Sequence, residues 1–570
     1  MKRLGFLGLC LFALSTAASA YDAWLLPIGD RAYAETDDLY IANGQVPPLM
    51  ESPVAAETMK TRLEALASGG SLETARASNA ILAPLGLPRP AFSFFLDAGL
   101  SVGTLNDPWL YNQISTTKYD AGTGTWVDGG TTFTDYNGIY EILEMPSILS
   151  LGILAHSEHF SVLFNPTLRA STFGQLRDYS FSNLPSELVQ IDMNFPYRGI
   201  ATFWSGEFEA RIGRDKLNLG PGRWSTLTLS RNMPFFDYGM AAFKVAGFKF
   251  SGYLVSLNAT LSSDENDYIN AIVDGTEVNL EQNSTYFDTM TNVHVKTLTV
   301  GRAMFEPFPW LTVCFQQMNL IGGRYPTLAD LNPLIVFHNL FEEGFYSVPA
   351  SLSFGMTPIP GLYLYGEYVL YDVTFGDEEG LSTNPAASAY QAGLTALSSP
   401  WLDLGPGRLR LDCEWSYASP WMYNKYVSLR KFTSRFVFVE PYYGRFYVDF
   451  PLGFYRGPDC WELDTKLSYG PPGDWEVFFL WQHTVKGEVD MYGYGEGSDY
   501  ANVADFLMNG LVTGIPEIRD GLSLEGSWFV LPSLSLGLRV RWTNVGSANH
   551  VTGNDDWFFD VGTTVRWKIF

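Results

Sequence analysis

Six histidines, and three cysteines beyond residue 20, are the residues of this 570-residue chain best suited to catalysis or metal binding. Their spacing supports neither. His156 and His159 lie three apart in a strand-like stretch, which places them on opposite faces. No Gly-x-Ser-x-Gly elbow presents a nucleophilic serine. Asp264, Glu265 and Asp267 offer oxygens for calcium but lack the distal glutamate that completes a calcium loop. Cys314, Cys413 and Cys460 are odd in number and far apart. They give neither a disulfide framework nor a zinc spacing, and each reads as a small apolar filler. The expectation is a protein that is not an enzyme and takes no cofactor and no metal.

Charge and turn chemistry say more. The run Gly213–Pro234 (GRDKLNLGPGRWSTLTLSRNMP) follows an alternating strand and opens with Gly213-Arg214. Gly220-Pro221-Gly222 demands a tight turn, because glycine accepts positive φ and proline fixes its own. Arg223, Ser230, Arg231, Asn232 and Pro234 follow. Arg214 either folds the Gly-Pro-Gly loop against an acidic wall or, with the greater weight, makes an ordinary wall salt bridge. A second run, Asn332–Glu343 (NPLIVFHNLFEE), carries Asn332-Pro333 and sets His338-Asn339 among apolar residues; a third is Arg456–Asp464.

Positioning such residues requires strands. Side chains alternate between faces with period two. In Arg408–Tyr417, Leu409, Leu411, Cys413, Trp415 and Tyr417 share one face; Arg408, Arg410, Asp412, Glu414 and Ser416 share the other. In Ser533–Thr543, Arg539 and Arg541 oppose Leu538, Val540 and Trp542. In Glu207–Gly213, Glu207, Glu209 and Arg211 oppose Phe208, Ala210 and Ile212. These charges form a field across a pore or neutralise one another. Buried charges need partners, so mutual neutralisation takes precedence.

The runs are about ten residues long, the length of a tilted strand crossing a bilayer, against five or six in soluble sheets. Roughly 16 to 20 can be marked, among them Ile142–Ala155, Ala201–Gly213 and Phe436–Phe450. Aromatics are 15% of residues, and Trp310, Tyr363, Trp401, Trp415, Trp481, Trp542 and Trp557 sit at strand ends, where interfacial girdles need them. Past the leader no apolar run approaches the length of a membrane helix. A closed barrel satisfies the backbone in lipid without helices.

Residues 1–20 read as a signal peptide: Lys2-Arg3, then apolar Gly5–Leu14, then Ala18-Ser19-Ala20. Its loss takes two of 36 basic residues and leaves 34 against 61 acidic, a net charge of −27, which argues against nucleic acid as partner. Residues 21–90 read as a helical periplasmic lead-in or plug, with helices over Val54–Ser68, capped by Ser52 and started by Pro53, and Leu72–Leu82. Residues 91–570 read as the barrel, and Phe570 supplies the terminal aromatic typical of substrates of the outer-membrane barrel assembly machinery. Long polar loops at Leu105–Gly138, Ser262–Asn292, Thr374–Ala387, Lys486–Glu517 and Val545–Asp556 are solvated, and their Tyr, Asn, Asp and Glu also suit sugars.

The Gly213-Arg214, Gly220-Pro221-Gly222, Ser230, Asn232 and Pro234 pattern resembles that of the Wzi-type capsule-assembly outer-membrane proteins, with Leu219 where the family has tryptophan. Asn332-Pro333, His338-Asn339 and Arg456–Asp459 resemble further family segments. The resemblance implies an 18-stranded barrel closed at the periplasmic side by helices, and a lectin-like hold on surface polysaccharide. The fold expected is therefore all-β membrane: a closed antiparallel transmembrane β-barrel of about 18 strands with a short N-terminal helical segment. The partners expected are outer-membrane lipid and surface polysaccharide. The alternative function is a porin-like diffusion channel for small solutes. Nothing in the sequence bears on oligomeric state.

Overall fold

The structure is a computed structural model. It describes residues 25–48, 50–83, 90–104, 106, 110–120, 125–172, 175, 181–185, 191–192, 196–261, 265–266, 295–331, 345–372, 387–399, 407–425, 428–440, 444–471, 474–489, 491, 508–531 and 533–569; for 110–138 it gives the backbone path. The signal peptide, Trp401, the Asn332, Pro333, His338 and Asn339 run, and Phe570 lie outside the described residues.

Eighteen strands of six residues or more form a closed antiparallel wall. They are β1 (Phe92–Gly103), β2 (Leu149–His156), β3 (Phe160–Asn165), β4 (Arg198–Ser205), β5 (Phe208–Asp215), β6 (Phe236–Val245), β7 (Phe248–Leu257), β8 (Lys296–Phe308) and β9 (Leu311–Gly322). The wall continues through β10 (Ala350–Ile359), β11 (Leu362–Asp372), β12 (Ala387–Leu397), β13 (Arg408–Ala418), β14 (Cys460–Gly470), β15 (Trp475–Lys486), β16 (Glu517–Leu531), β17 (Leu534–Gly546) and β18 (Asp556–Lys568). Each pairs with its sequence neighbour, and β18 closes on β1 with Ala98 opposite Trp567. Closure leaves no strand edge without a partner, which is the condition for a sheet in lipid.

One end of the wall carries short turns and the other long loops. Ala246-Gly247 joins β6 to β7 with both residues at positive φ, the backbone twist that a two-residue hairpin needs. Pro360-Gly361 joins β10 to β11, with Gly361 at φ +86° as a proline-glycine turn requires.

The outer face is apolar. Phe203, Phe208, Ile212, Phe243, Phe315 and Leu538 point outward and are exposed, Ile212 to 70%. Their strand neighbours Thr202, Arg211, Ala242, Gln316 and Thr543 are buried within. A soluble sheet exposing such a band would aggregate; a hydrocarbon belt covers it. Trp310, Trp475, Trp528 and Trp567 ring the short-turn end, with Trp475 directly opposite Trp528. Tyr368, Tyr390 and Tyr417 run across β11, β12 and β13 at the long-loop end, with ring centroids 5.1 and 6.0 Å apart, and Trp542 and Trp557 are exposed toward the long-loop ends of β17 and β18. The fold is that of a bacterial outer-membrane barrel.

Among the described residues, a buried core occupies the interior. Helix α1 (Arg31–Ala42), α2 (Ala56–Gly69) and α3 (Leu72–Leu82) gather at the short-turn end, where the amide of Val46 donates to the Pro309 carbonyl and that of Gly361 to Ile41. Asp30 caps α1, accepting from the Ala32 amide at 2.9 Å. At the long-loop end, Thr433–Glu440 and Gly444–Pro451 form a four-stranded sheet with Leu110–Asp120 and Thr125–Asp135, followed by α4 (Tyr136–Glu144). Leu219, Leu227 and Leu229 join Tyr423, Phe432, Phe450 and Phe454 in one buried cluster with Leu63 and Leu66 of α2.

Several expectations need correction. Phe436–Phe450 is not a wall strand but a hairpin in the second sheet. Ala201–Gly213 is two strands, broken by Gly206 at φ +60°. Ile142 to Glu144 belong to α4, and the wall resumes at Leu149. The Leu105–Gly138 loop contains a strand pair. Ser52 caps nothing: its backbone pairs with Asn218, and α2 starts at Ala56 without a side-chain cap. Tyr363 is not in the girdle; it faces the lumen, buried. α3 spans the expected Leu72–Leu82, while α1 has no counterpart in the sequence reading.

Candidate functional site: the segments that meet in the lumen

The segment joining β5 to β6, Lys216–Phe235, turns inward. Residues 225–230 are wholly buried, together with Leu217 and Leu219. Coming from the other end, Met50–Pro53 passes through the lumen, and Glu51 and Ser52 pair antiparallel with Leu219 and Asn218. The Gly220 amide donates to the Met50 carbonyl at 3.1 Å. Two stretches far apart in sequence thus share a small sheet inside the wall.

The glycines make the turn possible. Gly220 sits at φ +151°, and a Cβ there would lie 2.9 Å from the Thr226 side chain and 3.0 Å from a Glu367 carboxylate oxygen. At Gly222 a Cβ would fall 1.9 Å from the Ser225 carbonyl oxygen. Beyond the turn, Thr226 Oγ1 donates to the Leu229 carbonyl and Thr228 Oγ1 to that of Leu219, both at 2.9 Å. Asn232 Nδ2 donates to Ser230 Oγ at 2.7 Å, and the Ser230 amide donates to the Leu452 carbonyl at 2.7 Å. Pro234 is buried, ending the loop as β6 begins.

The loop is held by carboxylates on its amides. Glu414 of β13 accepts from the Arg223 amide at 2.6 Å, the Tyr365 hydroxyl at 2.7 Å and Gln391 Nε2 at 3.1 Å. Glu367 of β11 accepts from the Leu227 amide at 3.1 Å and the Thr228 hydroxyl at 3.2 Å. The Arg223 guanidinium pairs with buried Asp37 of α1 and lies 5.5 Å from the centre of the Tyr363 ring.

The N-terminal thread is held by cations instead. Arg302 of β8 donates to the Met50 carbonyl at 2.8 Å, and Arg211 of β5 donates to that of Pro53 at 2.7 Å. Lys249 Nζ and the Tyr253 hydroxyl donate to Glu51 at 2.8 and 2.7 Å. Burial opposes ionisation of Glu51, but Lys249 and Arg302 outweigh it and hold the carboxyl well below the usual glutamate range.

The charges singled out in the sequence fall in different places. Arg408 and Arg410 pair with Asp38 of α1 at 3.3 and 2.6 Å, and Arg410 also with Asp412. Arg539 and Arg541 both grip Glu141 of α4. Arg211 pairs with Glu209. Glu207 is not on the inner wall; it sits exposed in the turn after Gly206. Arg214 does not fold the Gly-Pro-Gly turn. It binds Asp237 of the next strand through Nε and Nη2, each at 2.8 Å, and lies 3.8 Å over the Phe235 ring. Gly213, beside it, is at φ +142°, where a Cβ would meet the Gly199 carbonyl oxygen at 2.3 Å. Sequence reasoning missed Glu51, Asp37, Glu367 and Gln391. The alternation within Tyr363–Val369 puts Tyr363, Tyr365 and Glu367 on one face and is the signal that was available.

Among the described residues no cluster of three His, Cys, Asp or Glu is placed to hold a metal. No protein-family model and no curated protein sequence matches the chain. Among solved structures, Wzi of Escherichia coli, described as a carbohydrate-binding β-barrel involved in group 1 capsule assembly, superposes with a TM-score of 0.56 at 13% identity over 95% of this chain and 99% of its own. OccK5 (OpdH) of Pseudomonas aeruginosa gives 0.39 at 10% identity over 84% and 98%, and OpdQ of the same organism 0.36 at 8% over the same shares. The fold resemblance read from the Gly-Pro-Gly run thus has a structural counterpart.

Proposed function

We propose that this chain is a surface barrel that holds polysaccharide at the cell exterior and performs no reaction on it. Its long loops face outward, its helices α1 to α3 face the periplasm, and its lumen is closed to solutes. The reading rests on one observation above all: residues 51–52 pair with 218–219 inside the wall, so segments from both ends of the barrel occupy the space a solute would need. The fold likeness to Wzi, described as carbohydrate-binding, supports the choice of ligand. The polar loops, rich in Tyr, Asn and Asp, carry hydroxyl-binding groups and stacking surfaces. Residues 1–20 direct export, and insertion uses the barrel assembly machinery. The porin alternative needs an open lumen.

The test is co-sedimentation of liposomes carrying the full-length protein with polysaccharide purified from the surface of the source cells. Saturable retention, absent from protein-free liposomes, is expected. No retention, combined with passage of small sugars into the liposomes, would replace the reading with a porin.

A further inference from the structure

The loop after β9 leaves the wall sideways. Along β9, Gln316 and Met318 point inward, where Gln316 Nε2 donates to Thr228 Oγ1 at 2.9 Å. Alternation therefore puts Phe315, Gln317 and Asn319 on the lipid side. Phe315 is exposed there, but Asn319 is buried, and so is Thr299, its partner on β8. Asp330 reaches this spot from the loop: its Oδ1 accepts from Asn319 Nδ2 at 3.4 Å. The same carboxylate accepts from Arg324 Nη1 and Nη2 at 2.7 and 3.0 Å, and from the Thr327 amide and hydroxyl at 2.6 and 2.9 Å. Residues 323–331 are thus folded back and pinned against the outer face of the wall.

The tip of this loop is apolar. Its two charges, Arg324 and Asp330, pair with each other, and the rest is Tyr325, Pro326, Thr327, Leu328, Ala329 and Leu331. Leu328 is 87% and Tyr325 70% exposed, and Leu331 is exposed beside them. A loop pinned with its leucines outward marks an interaction surface. Its height on the wall identifies the partner. Asn319 lies eight residues along β9 from Leu311, and Tyr368 of the outer tyrosine row lies six along β11 from Leu362; both strands start at the short-turn end. The loop therefore docks at the outer girdle, where the apolar belt meets the headgroups. Phe315, Leu352 and Phe354 continue the apolar surface along the same face.

We propose that loop 323–331 is a lateral foot resting in the outer leaflet, with Leu328 and Leu331 among the upper acyl chains and Tyr325 at headgroup level. Irregular backbone is excluded from the hydrocarbon core, so the foot stays at its boundary and inserts side chains only. Lipid is the partner because the tip is continuous with the lipid-facing belt and is a few side chains wide, too small for a stable interface with a second copy. The foot is independent of the polysaccharide reading.

The test places nitroxides on the full-length protein in phospholipid nanodiscs. Cys413→Ala removes the half-buried cysteine of the outer face; Cys314 and Cys460 are buried. Labels go at Leu328→Cys, at Phe315→Cys in the belt and at Thr552→Cys in the exposed loop between β17 and β18. Collisions with oxygen, which concentrates among acyl chains, and with a water-soluble nickel chelate report depth. Burial of the leucines favours the inserted loop by about tenfold or more, so nickel collisions at 328 should be about tenfold fewer than at 552 and approach those at 315. Nickel collisions at 328 equal to those at 552 overturn the proposal. Dipolar coupling between 328 labels on separate molecules in liposomes would give the surface to a second copy and overturn the lipid assignment. Leu328 is too exposed for its replacement to disturb the fold. A label at Leu331→Cys should become accessible to nickel when Leu328→Asp is added, because the carboxylate draws the tip into water; unchanged low access overturns the role of Leu328.

Discussion

The two segments that meet in the lumen are held by opposite chemistry. Arginines and a lysine of β5, β7 and β8 hold the thread at Met50–Pro53, chiefly by donating to its carbonyls. Glutamates of β11 and β13 hold the loop at Arg223–Leu227 by accepting from its amides. The wall thus presents a cationic patch to carbonyls on one side and an acidic patch to amides on the other. Charges on the inner wall have the chain's own backbone as partners, which is the requirement for burying them. The difference also ranks the segments. The loop has no room for side chains at its turn, whereas the thread is extended chain tied by side chains that can be trimmed one at a time.

Gly222→Val should break the comparison outright. Its Cβ has 1.9 Å to the Ser225 carbonyl oxygen, so the turn cannot close and the loop should leave the lumen, at a cost of several kcal/mol. Protease cleavage within 216–235 on folded, membrane-inserted protein is the readout. Glu414→Ala removes the acceptor of the Arg223 amide and the Tyr365 hydroxyl; loosening of the loop by roughly 2–4 kcal/mol is expected, measured as faster amide exchange at 223–227, with residues 50–53 less affected. Arg302→Met should do the converse, weakening the thread by about 1–3 kcal/mol while the loop turn holds. Equal effects of the two variants on both segments would show that they dock as one unit.

The smallest effect is pH-dependent. Because the docked Glu51 carboxyl titrates below its free value near 4.3, its contribution is full above that value, declines as the pH falls and is spent once the depressed value is passed. Exchange protection of residues 50–53 should therefore fall between about pH 5 and pH 3 in the wild type. In Glu51→Gln it should be lower at pH 7 and flat across that window.

Wall and lumen were not equally legible in the sequence. The alternation of Leu, Trp and Tyr against Arg, Asp and Glu in Arg408–Tyr417 marks β13 within a residue, because lipid and lumen impose opposite polarity on adjacent positions. Glycine spacing at 220 and 222 marked the turn. The partners did not show. Glu51 sits in a stretch without periodicity, and Asp37 lies in a helix whose polarity pattern is weak. Glu367 acts on a main-chain amide more than a hundred residues away. Such pairings depend on tertiary placement, which neighbouring residues do not encode. Phe436–Phe450 misled for a related reason: a hairpin of the second sheet follows the same period-two alternation as a wall strand.

If the two segments together close the barrel, single-channel conductance in a planar bilayer shows it most directly. The full-length protein should be silent, and Gly222→Val, combined with removal of residues 21–90, should give steady current. Large, stable conductance from the unmodified protein would contradict the account.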